Sequence, residues 1–117
     1  MKDNNDRVKL LVLYCGEEDI ALNIAASGSL AQLSTENETI CKKIIEVTSF
    51  IEIFKESACT ADVEFQYRIF YILNNITSIN KELCIKVVES ELMEVIVALT
   101  RLEVEVGRSK VYSLIFV

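Results

Sequence analysis

The chain has 117 residues and a formal net charge of −6, with 12 Lys and Arg against 18 Asp and Glu. An acidic chain without a basic stripe repels phosphate backbones, so we expect no nucleic-acid partner. The longest stretch poor in charge, residues 65–80, is shorter than the roughly 20 apolar residues that a membrane span needs, so we expect no membrane partner. One domain with no proline and only three glycines favours helices over turn-rich β structure.

Catalytic chemistry has little support in these residues. The chain contains no histidine that could activate a Ser or Cys nucleophile. Its three glycines stand apart, so no phosphate-binding loop is present. Residues 17–19 are three adjacent acids, which could act as paired carboxylates but are better explained by a favourable interaction with a helix N-terminus. We therefore predict a protein that is not an enzyme, with no catalytic residue and no cofactor.

The cysteines do not form a metal-binding pattern. They are 26, 18 and 25 positions apart, without a CxxC pair. The first six residues are polar and acidic, unlike an export signal, so we expect a cytoplasmic protein. The sequence thus predicts no metal site and four reduced cysteines packed as small apolar core residues, Cys15, Cys41, Cys59 and Cys84.

An internal repeat has a period of 43 residues. Shifting residues 20–46 by that number aligns similar residues at nine positions, and a period near 43 lies in the range of armadillo and HEAT units. The aligned pairs are Ile20 and Val63, Leu30 and Leu73, Leu33 and Ile76, Asn37 and Asn80, Ile40 and Leu83, Cys41 and Cys84, Ile44 and Val87, Ile45 and Val88, and Glu46 and Glu89.

Within the units, apolar residues have helical spacing, as in Phe65, Ile69, Ile72, Leu73 and Ile76. In chain order, we predict helices over residues 7–15, 18–33, 37–46, 50–57, 62–77, 80–89, 91–102 and 106–117, with a loop at 103–106. Capping-box spacing predicts helix starts at Thr35, with Glu38, and at Ser49, with Glu52. The predicted fold class is all-α, an armadillo-type superhelical solenoid of about two and a half repeats. It occupies residues 7–117 and follows a polar tail at 1–6.

Both ends of the predicted solenoid lack a partner. The first unit has no first helix, and the chain ends on an apolar run at 114–117. Solenoids need polar-faced terminal repeats, so we expect this chain to be an excerpt of a longer one. We also expect two apolar surfaces to stay uncovered: residues 114–117, and the face of the first helix formed by Val8, Leu11, Val12 and Cys15.

The candidate binding residues lie on the long third helix of each unit, whose outer face lines the concave groove of an armadillo solenoid. Arg68, Tyr71 and Asn75 recur at i, i+3 and i+7, and Gln32 is the repeat equivalent of Asn75. An amide can donate to and accept from the backbone of an extended peptide. The alternative is that these four residues are ordinary solvated helix surface.

Several segments resemble a known family. Residues 25–33 resemble armadillo third helices in general, and residues 88–95 (VESELMEV) are more specific. Together with residues 66–68, and with residues 11–15 followed by the acids at 17–19, they resemble the C-terminal part of the UCS domain of animal myosin chaperones, the Unc-forty-five type. The resemblance covers residues 8–102. The chain departs from the family at Tyr67 and Ile69, and after Leu102.

The resemblance implies a chaperone segment that holds the myosin motor domain without ATP or metal. In that family a tetratricopeptide module binds the ninety-kilodalton heat-shock protein, and we expect that partner only through such a module, which these 117 residues do not contain. Two other hypotheses remain: a generic armadillo adaptor that binds an extended peptide of another protein, and a small enzyme.

Overall fold

The structure is a computed structural model that describes the backbone of residues 4–106 and the side chains of residues 7–98. Seven α-helices and no strand occur in this part of the chain. They are α1 (Asn4–Cys15), α2 (Ile20–Ser34), α3 (Glu38–Glu46), α4 (Phe50–Ala58), α5 (Val63–Ile79), α6 (Lys81–Val88) and α7 (Glu91–Val106). None of these helices is both long enough and apolar enough to cross a membrane.

The helices form two layers. In one layer α4 lies between α1 and α7, and in the other α2 packs along α5. The short helices connect the layers: α3 contacts α1, α2, α4 and α5, and α6 contacts α5 and α7. The complete unit therefore consists of a short first helix, α3, a second helix, α4, and a long third helix, α5, and α2 and α5 are successive third helices. The predicted all-α, armadillo-type solenoid is confirmed.

The N-caps of the helices also repeat with the period of 43 residues. Asp19 caps α2 and Asp62 caps α5, each accepting a backbone N–H, at 3.2 and 2.8 Å respectively. Asn37 and Asn80 cap α3 and α6 in the same way. The two members of each pair are 43 positions apart in the sequence. Because an N-cap side chain satisfies backbone donors that the helix leaves unpaired, the Asn pair fixes where the first helices start and the Asp pair fixes where the third helices start.

The hydrophobic core lies between the two layers. Phe50 and Phe54 of α4 pack ring against ring, with centroids 4.7 Å apart. The five residues of α5 that were predicted from their helical spacing are all buried: Phe65, Ile69, Ile72, Leu73 and Ile76. Removal of this apolar surface from water is the main favourable contribution to folding.

Buried polar side chains bind the end of α1 to its neighbours. The last carbonyl groups of a helix have no partner within the helix. Nδ2 of Asn23, in α2, donates to the carbonyl oxygens of Tyr14 at 2.8 Å, Cys15 at 3.3 Å and Glu17 at 3.0 Å. Oγ of Ser57, in α4, shares its one proton between the carbonyl oxygen of Ile53, in its own helix, at 2.8 Å and that of Cys15 at 3.4 Å. The end of α1 is thereby fixed to both layers.

A polar contact also joins the two third helices. Nδ2 of Asn75, in α5, donates to Oγ of Ser34 at 2.9 Å and to the carbonyl oxygen of Ala31 at 3.3 Å, both in α2. Ser34 is buried and Asn75 is half-buried. We call this contact region the α2–α5 junction. It sets the register between successive units.

The face of α1 that was predicted to be uncovered is not. Its residues Val8, Val12 and Cys15 are buried, and Leu11 packs against the core, because α1 contacts α2, α3 and α4. The exposed apolar residues of α1 are instead Leu10 and Leu13. The apolar run at 114–117 lies outside the described residues. So does the predicted helix at 106–117, except for Val106, which belongs to α7.

Two predicted helix ends and one predicted cap bond differ from the structure. The Thr35 hydroxyl donates to the carbonyl oxygen of Ala31 at 2.8 Å, and Asn37 caps α3 instead, because the chain turns at Glu36 with a φ of 51°. Ser49 stands at the N-cap of α4 but makes no side-chain cap bond. The predicted loop at 103–106 is wrong, since α7 continues to Val106 with no glycine or proline to interrupt it.

The four cysteines are free thiols in three different environments. Cys15 and Cys41 are buried as predicted, and burial raises their thiol pKa to about 12 and about 11, with the charge of Glu38 adding to the effect at Cys41. Cys84 is half-buried. The prediction of a core position is wrong for Cys59, which is exposed because it follows the last buried residue of α4 at the C-cap.

Leu73→Ala is expected to lower the free energy of unfolding by about 2 to 5 kcal/mol, because it leaves a cavity between the layers. Leu10→Ala is the matched control: it removes the same atoms from an exposed site and is expected to cost about 0.5 kcal/mol or less. Urea unfolding followed by circular dichroism measures both. Equal losses would contradict the assignment of the core.

Asn75→Ala is expected to lower the free energy of unfolding by about 1 kcal/mol, because it removes two hydrogen bonds at the α2–α5 junction. The sequence alone had placed Asn75 on free surface, where the change would cost about 0.5 kcal/mol or less. A double-mutant cycle with Ser34→Ala separates the two interpretations, since only a direct contact gives a coupling energy.

Cys59 is expected to react with a thiol reagent at pH 8 much faster than Cys15 and Cys41. The reactive form is the thiolate, and the raised pKa of the two buried thiols keeps them protonated. The same shift makes the folded state lose stability as the pH rises above the unfolded value of 9.0, because the unfolded chain releases these protons first. Peptide mapping after timed labelling measures the rates. Equal labelling of all three would contradict the burial.

Candidate protein-binding groove

A cleft opens on the surface along the α2–α5 junction. It has a volume of about 620 Å³ and is accessible from solvent. Residues of both third helices line it: Gly28 and Ala31 from α2, and Val63, Glu64, Tyr67, Arg68 and Tyr71 from α5. We call it the α2–α5 cleft. Its position along the third helices is where an armadillo solenoid was expected to bind a partner.

The α5 wall of the cleft is apolar and aromatic. Val63, Tyr67 and Tyr71 follow one another at intervals of four residues, so they share one side of the helix. Val63 is 68% exposed and Tyr67 is 41% exposed, high values for such large side chains. The rings of Tyr67 and Tyr71 lie side by side, with centroids 6.5 Å apart and planes inclined by 29°. Clustered exposed side chains of this kind mark interaction sites.

Arg68 crosses the cleft from α5 to α2. Its guanidinium lies over Gly28, and a Cβ atom at that position would collide with Nη1. The missing side chain of Gly28 therefore makes room for the cation. Nη2 donates to Oε2 of Glu64, one turn earlier in α5, at 2.7 Å. Because this ion pair is partly exposed, it contributes little to stability, and a partner can exchange its bonds at low cost.

The lining suits a protein partner. Tyr and Arg are the residue types that most often carry the binding energy of protein interfaces. In the α2–α5 cleft, Tyr67, Tyr71 and Val63 offer apolar contact, while the phenol groups and Arg68 offer hydrogen bonds. Glu64 offsets the charge of Arg68, so the surface selects by shape and apolar contact more than by net charge.

The four residues proposed from the sequence have separate positions. Arg68 and Tyr71 both line the α2–α5 cleft. Gln32 is exposed on α2, one turn beyond Gly28, and is not among the lining residues. Asn75 lies at the junction, where its amide nitrogen already donates to α2, so the proposed role of binding a peptide with a free amide does not fit that nitrogen.

Sequence reasoning missed Val63, Glu64, Tyr67 and Ala31 as lining residues, and treated Gly28 only as the repeat equivalent of Tyr71. One signal was available in the sequence: Val63, Tyr67 and Tyr71 recur at intervals of four residues, the spacing that places side chains on one side of a helix. The bridge from Arg68 to Gly28 could not be found in this way, because it depends on the distance between two helices of different units.

Curated proteins similar to this chain share one name. Mouse protein unc-45 homolog B is 38% identical over 112 residues, which cover 95% of this chain and 12% of that protein. The Xenopus tropicalis protein of that name is 41% identical over 98 residues, covering 82% of this chain and 11% of that protein. The human protein of that name is 35% identical over 112 residues, which cover 95% of this chain and 12% of that protein. No family model matches the chain.

The fold comparison agrees with the sequences. A solved structure of the UNC-45 chaperone matches this chain with a TM-score of 0.79 and 33% sequence identity. That structure is described as showing molecular features of the chaperone that are critical for binding and folding muscle myosin. The match covers 93% of this chain and 12% of that one. The chain therefore spans about one eighth of the length of the proteins it matches. Both comparisons cover most of its helices, and on that evidence the chain belongs to the UNC-45 family, as one stretch of its armadillo-like solenoid.

Proposed function

We propose that this chain is a non-enzymatic protein-binding module that binds the myosin motor domain and contributes to its folding. The observation that carries the proposal is the match, over nearly the whole chain, to an UNC-45 chaperone described as binding and folding muscle myosin. The activity of that whole protein is assigned here to a stretch corresponding to 12% of its length. The α2–α5 cleft supplies a surface suited to the task.

In this proposal the cleft works as a rigid holding surface. Val63, Tyr67 and Tyr71 contact apolar side chains that a partly folded motor domain exposes, and Arg68 donates to its backbone or carboxylates. Folded helices hold these groups in place before binding, which reduces the entropic cost of association. In this proposal the holding of the motor domain requires neither ATP nor a metal ion. We place the protein in the cytoplasm, where free cysteines such as these stay reduced.

A second candidate function is a general adaptor that binds an extended peptide of another protein. The observation in its favour is the open, aromatic form of the α2–α5 cleft, since nothing in its lining is specific for a motor domain. The two candidates differ in the partner and share the site.

The double variant Tyr67→Ala, Tyr71→Ala is expected to raise the Kd for a purified myosin motor domain by at least about tenfold, because it removes the aromatic wall of the cleft. It should also weaken the suppression of heat-induced aggregation of that domain. Fluorescence anisotropy and light scattering measure the two effects. Ile85→Ala is the matched control, since Ile85 is an exposed apolar residue of α6 that does not line the cleft.

Three outcomes are informative. Loss of binding in the double variant alone supports the proposal. If the unaltered chain does not bind the motor domain but still binds an extended peptide, the adaptor function is favoured. Equal binding by the double variant and the control would remove the α2–α5 cleft as the site.

A further inference from the structure

The ion pair between Arg68 and Glu64 has no counterpart on the preceding third helix. A shift of 43 positions aligns Arg68 with Ala25 and Glu64 with Ala21, and both alanines are exposed on α2. The preceding helix thus forms and packs without such a pair. A partly exposed ion pair also contributes little to stability. The two charges on α5 are therefore available for binding a partner.

The guanidinium of Arg68 has unused capacity for hydrogen bonds. Arginine has five N–H donors arranged as a planar fork. Within residues 7–98, the acceptor that contacts this guanidinium is Oε2 of Glu64, which takes a single bond from Nη2 at 2.7 Å. Nη1 lies nearest to Gly28, on the side of α2. Since Arg68 lines the α2–α5 cleft and is 35% exposed, the rest of the fork can be reached by a ligand.

A carboxylate is the group that best matches this fork. Its two oxygens accept parallel bonds from one guanidinium, and its charge makes these bonds stronger than those to a neutral carbonyl group. A segment that packs on Val63, Tyr67 and Tyr71 would exclude water from the contact, which strengthens the attraction between the charges. A phosphate group fits less well, because its additional negative charge would lie beside Glu64 in a chain of net charge −6.

We infer that the α2–α5 cleft selects a segment of its partner in which an acidic residue stands next to apolar ones, an inference that rests on the proposed function of the cleft in protein binding. The apolar side chains pack on the α5 wall, and the carboxylate binds the guanidinium of Arg68. Glu64 shares that guanidinium and repels the incoming carboxylate, so it lowers the affinity. Gly28 is a positioning residue, because its missing Cβ leaves the room that the guanidinium occupies.

Two synthetic peptides test the inference. Both have leucines on either side of one central residue, which is glutamate in the first peptide and glutamine in the second. NMR titration of the 117-residue chain, followed through the backbone amides of α5, gives the two Kd values even for weak binding. At low ionic strength the glutamate peptide is expected to bind at least about tenfold more tightly, because only its side chain forms charge-assisted bonds to Arg68.

Two variants alter the guanidinium. Arg68→Gln is expected to abolish the preference for glutamate and to leave the Kd of the glutamine peptide within about twofold. Gly28→Ala retains the arginine but places a Cβ where Nη1 lies, so the guanidinium has to move and the preference should fall by at least about threefold. Thermal melts show that the variants are folded. Gly28→Ala should melt at the same or a higher temperature, since alanine favours a helix more than glycine does.

A third variant has an effect of the opposite sign. Glu64→Gln removes the competing carboxylate, so it is expected to tighten binding of the glutamate peptide by about threefold and to leave the glutamine peptide unchanged. Glu38→Gln is the matched control. It removes the same charge from another i,i+4 pair, with Lys42 on α3, away from the cleft, and is expected to change neither Kd.

The selection of an acidic segment and the proposed function can fail separately. A chain that prefers the glutamate peptide but does not bind a purified motor domain supports the inference and contradicts the binding of myosin. A chain that binds the motor domain but shows no preference for glutamate, whether it binds both peptides or neither, overturns the inference alone. Full preference in Arg68→Gln or Gly28→Ala, or an equal gain of affinity in Glu38→Gln, would also overturn it.

Discussion

The side chains of Asn75 and Arg68 both cross from α5 to α2, and the rest of the binding surface depends on this one junction. Asn75 donates to Ser34 and so fixes how far α5 is shifted along α2. At that register the guanidinium of Arg68 lies over Gly28, the one position in its path without a side chain. A change of one helical turn would bring Arg68 against a residue with a Cβ atom and would move Tyr71 away from α2. The cleft is therefore a consequence of how two repeats are stacked.

The stacking of α2 and α5 suits the binding of another protein better than catalysis. The core holds α2 and α5 rigidly, so the partner meets a surface whose shape is already set. Within the α2–α5 cleft the only full charges among the lining residues are Arg68 and Glu64, and they are paired with each other. A surface that is aromatic and nearly neutral can accept varied apolar segments of an incompletely folded protein. This property fits the proposed binding of a motor domain, whose shape would change while it is held.

Much of the fold was predictable, because armadillo units repeat both their core and their caps. The shift that aligns Asn37 with Asn80 also aligns the starts of α3 and α6, and helical spacing identified the buried face of α5. The candidate site was predictable only in part. Arg68 and Tyr71 were found because they lie on the third helix, but Asn75 was misassigned, since sequence periodicity gives the side of a helix and not the neighbour it meets. For the same reason α1, whose inner face is covered by three helices, was expected to stay exposed.

The central claim is that the α2–α5 cleft is where this chain binds the myosin motor domain. Amide hydrogen exchange, measured by mass spectrometry with and without a saturating amount of purified motor domain, tests it most directly. The account predicts slower exchange in peptides that cover residues 63–71 and 24–32, with little change in α6, which does not line the cleft. Protection confined to α6 or α1, with unchanged exchange along both third helices, would contradict it.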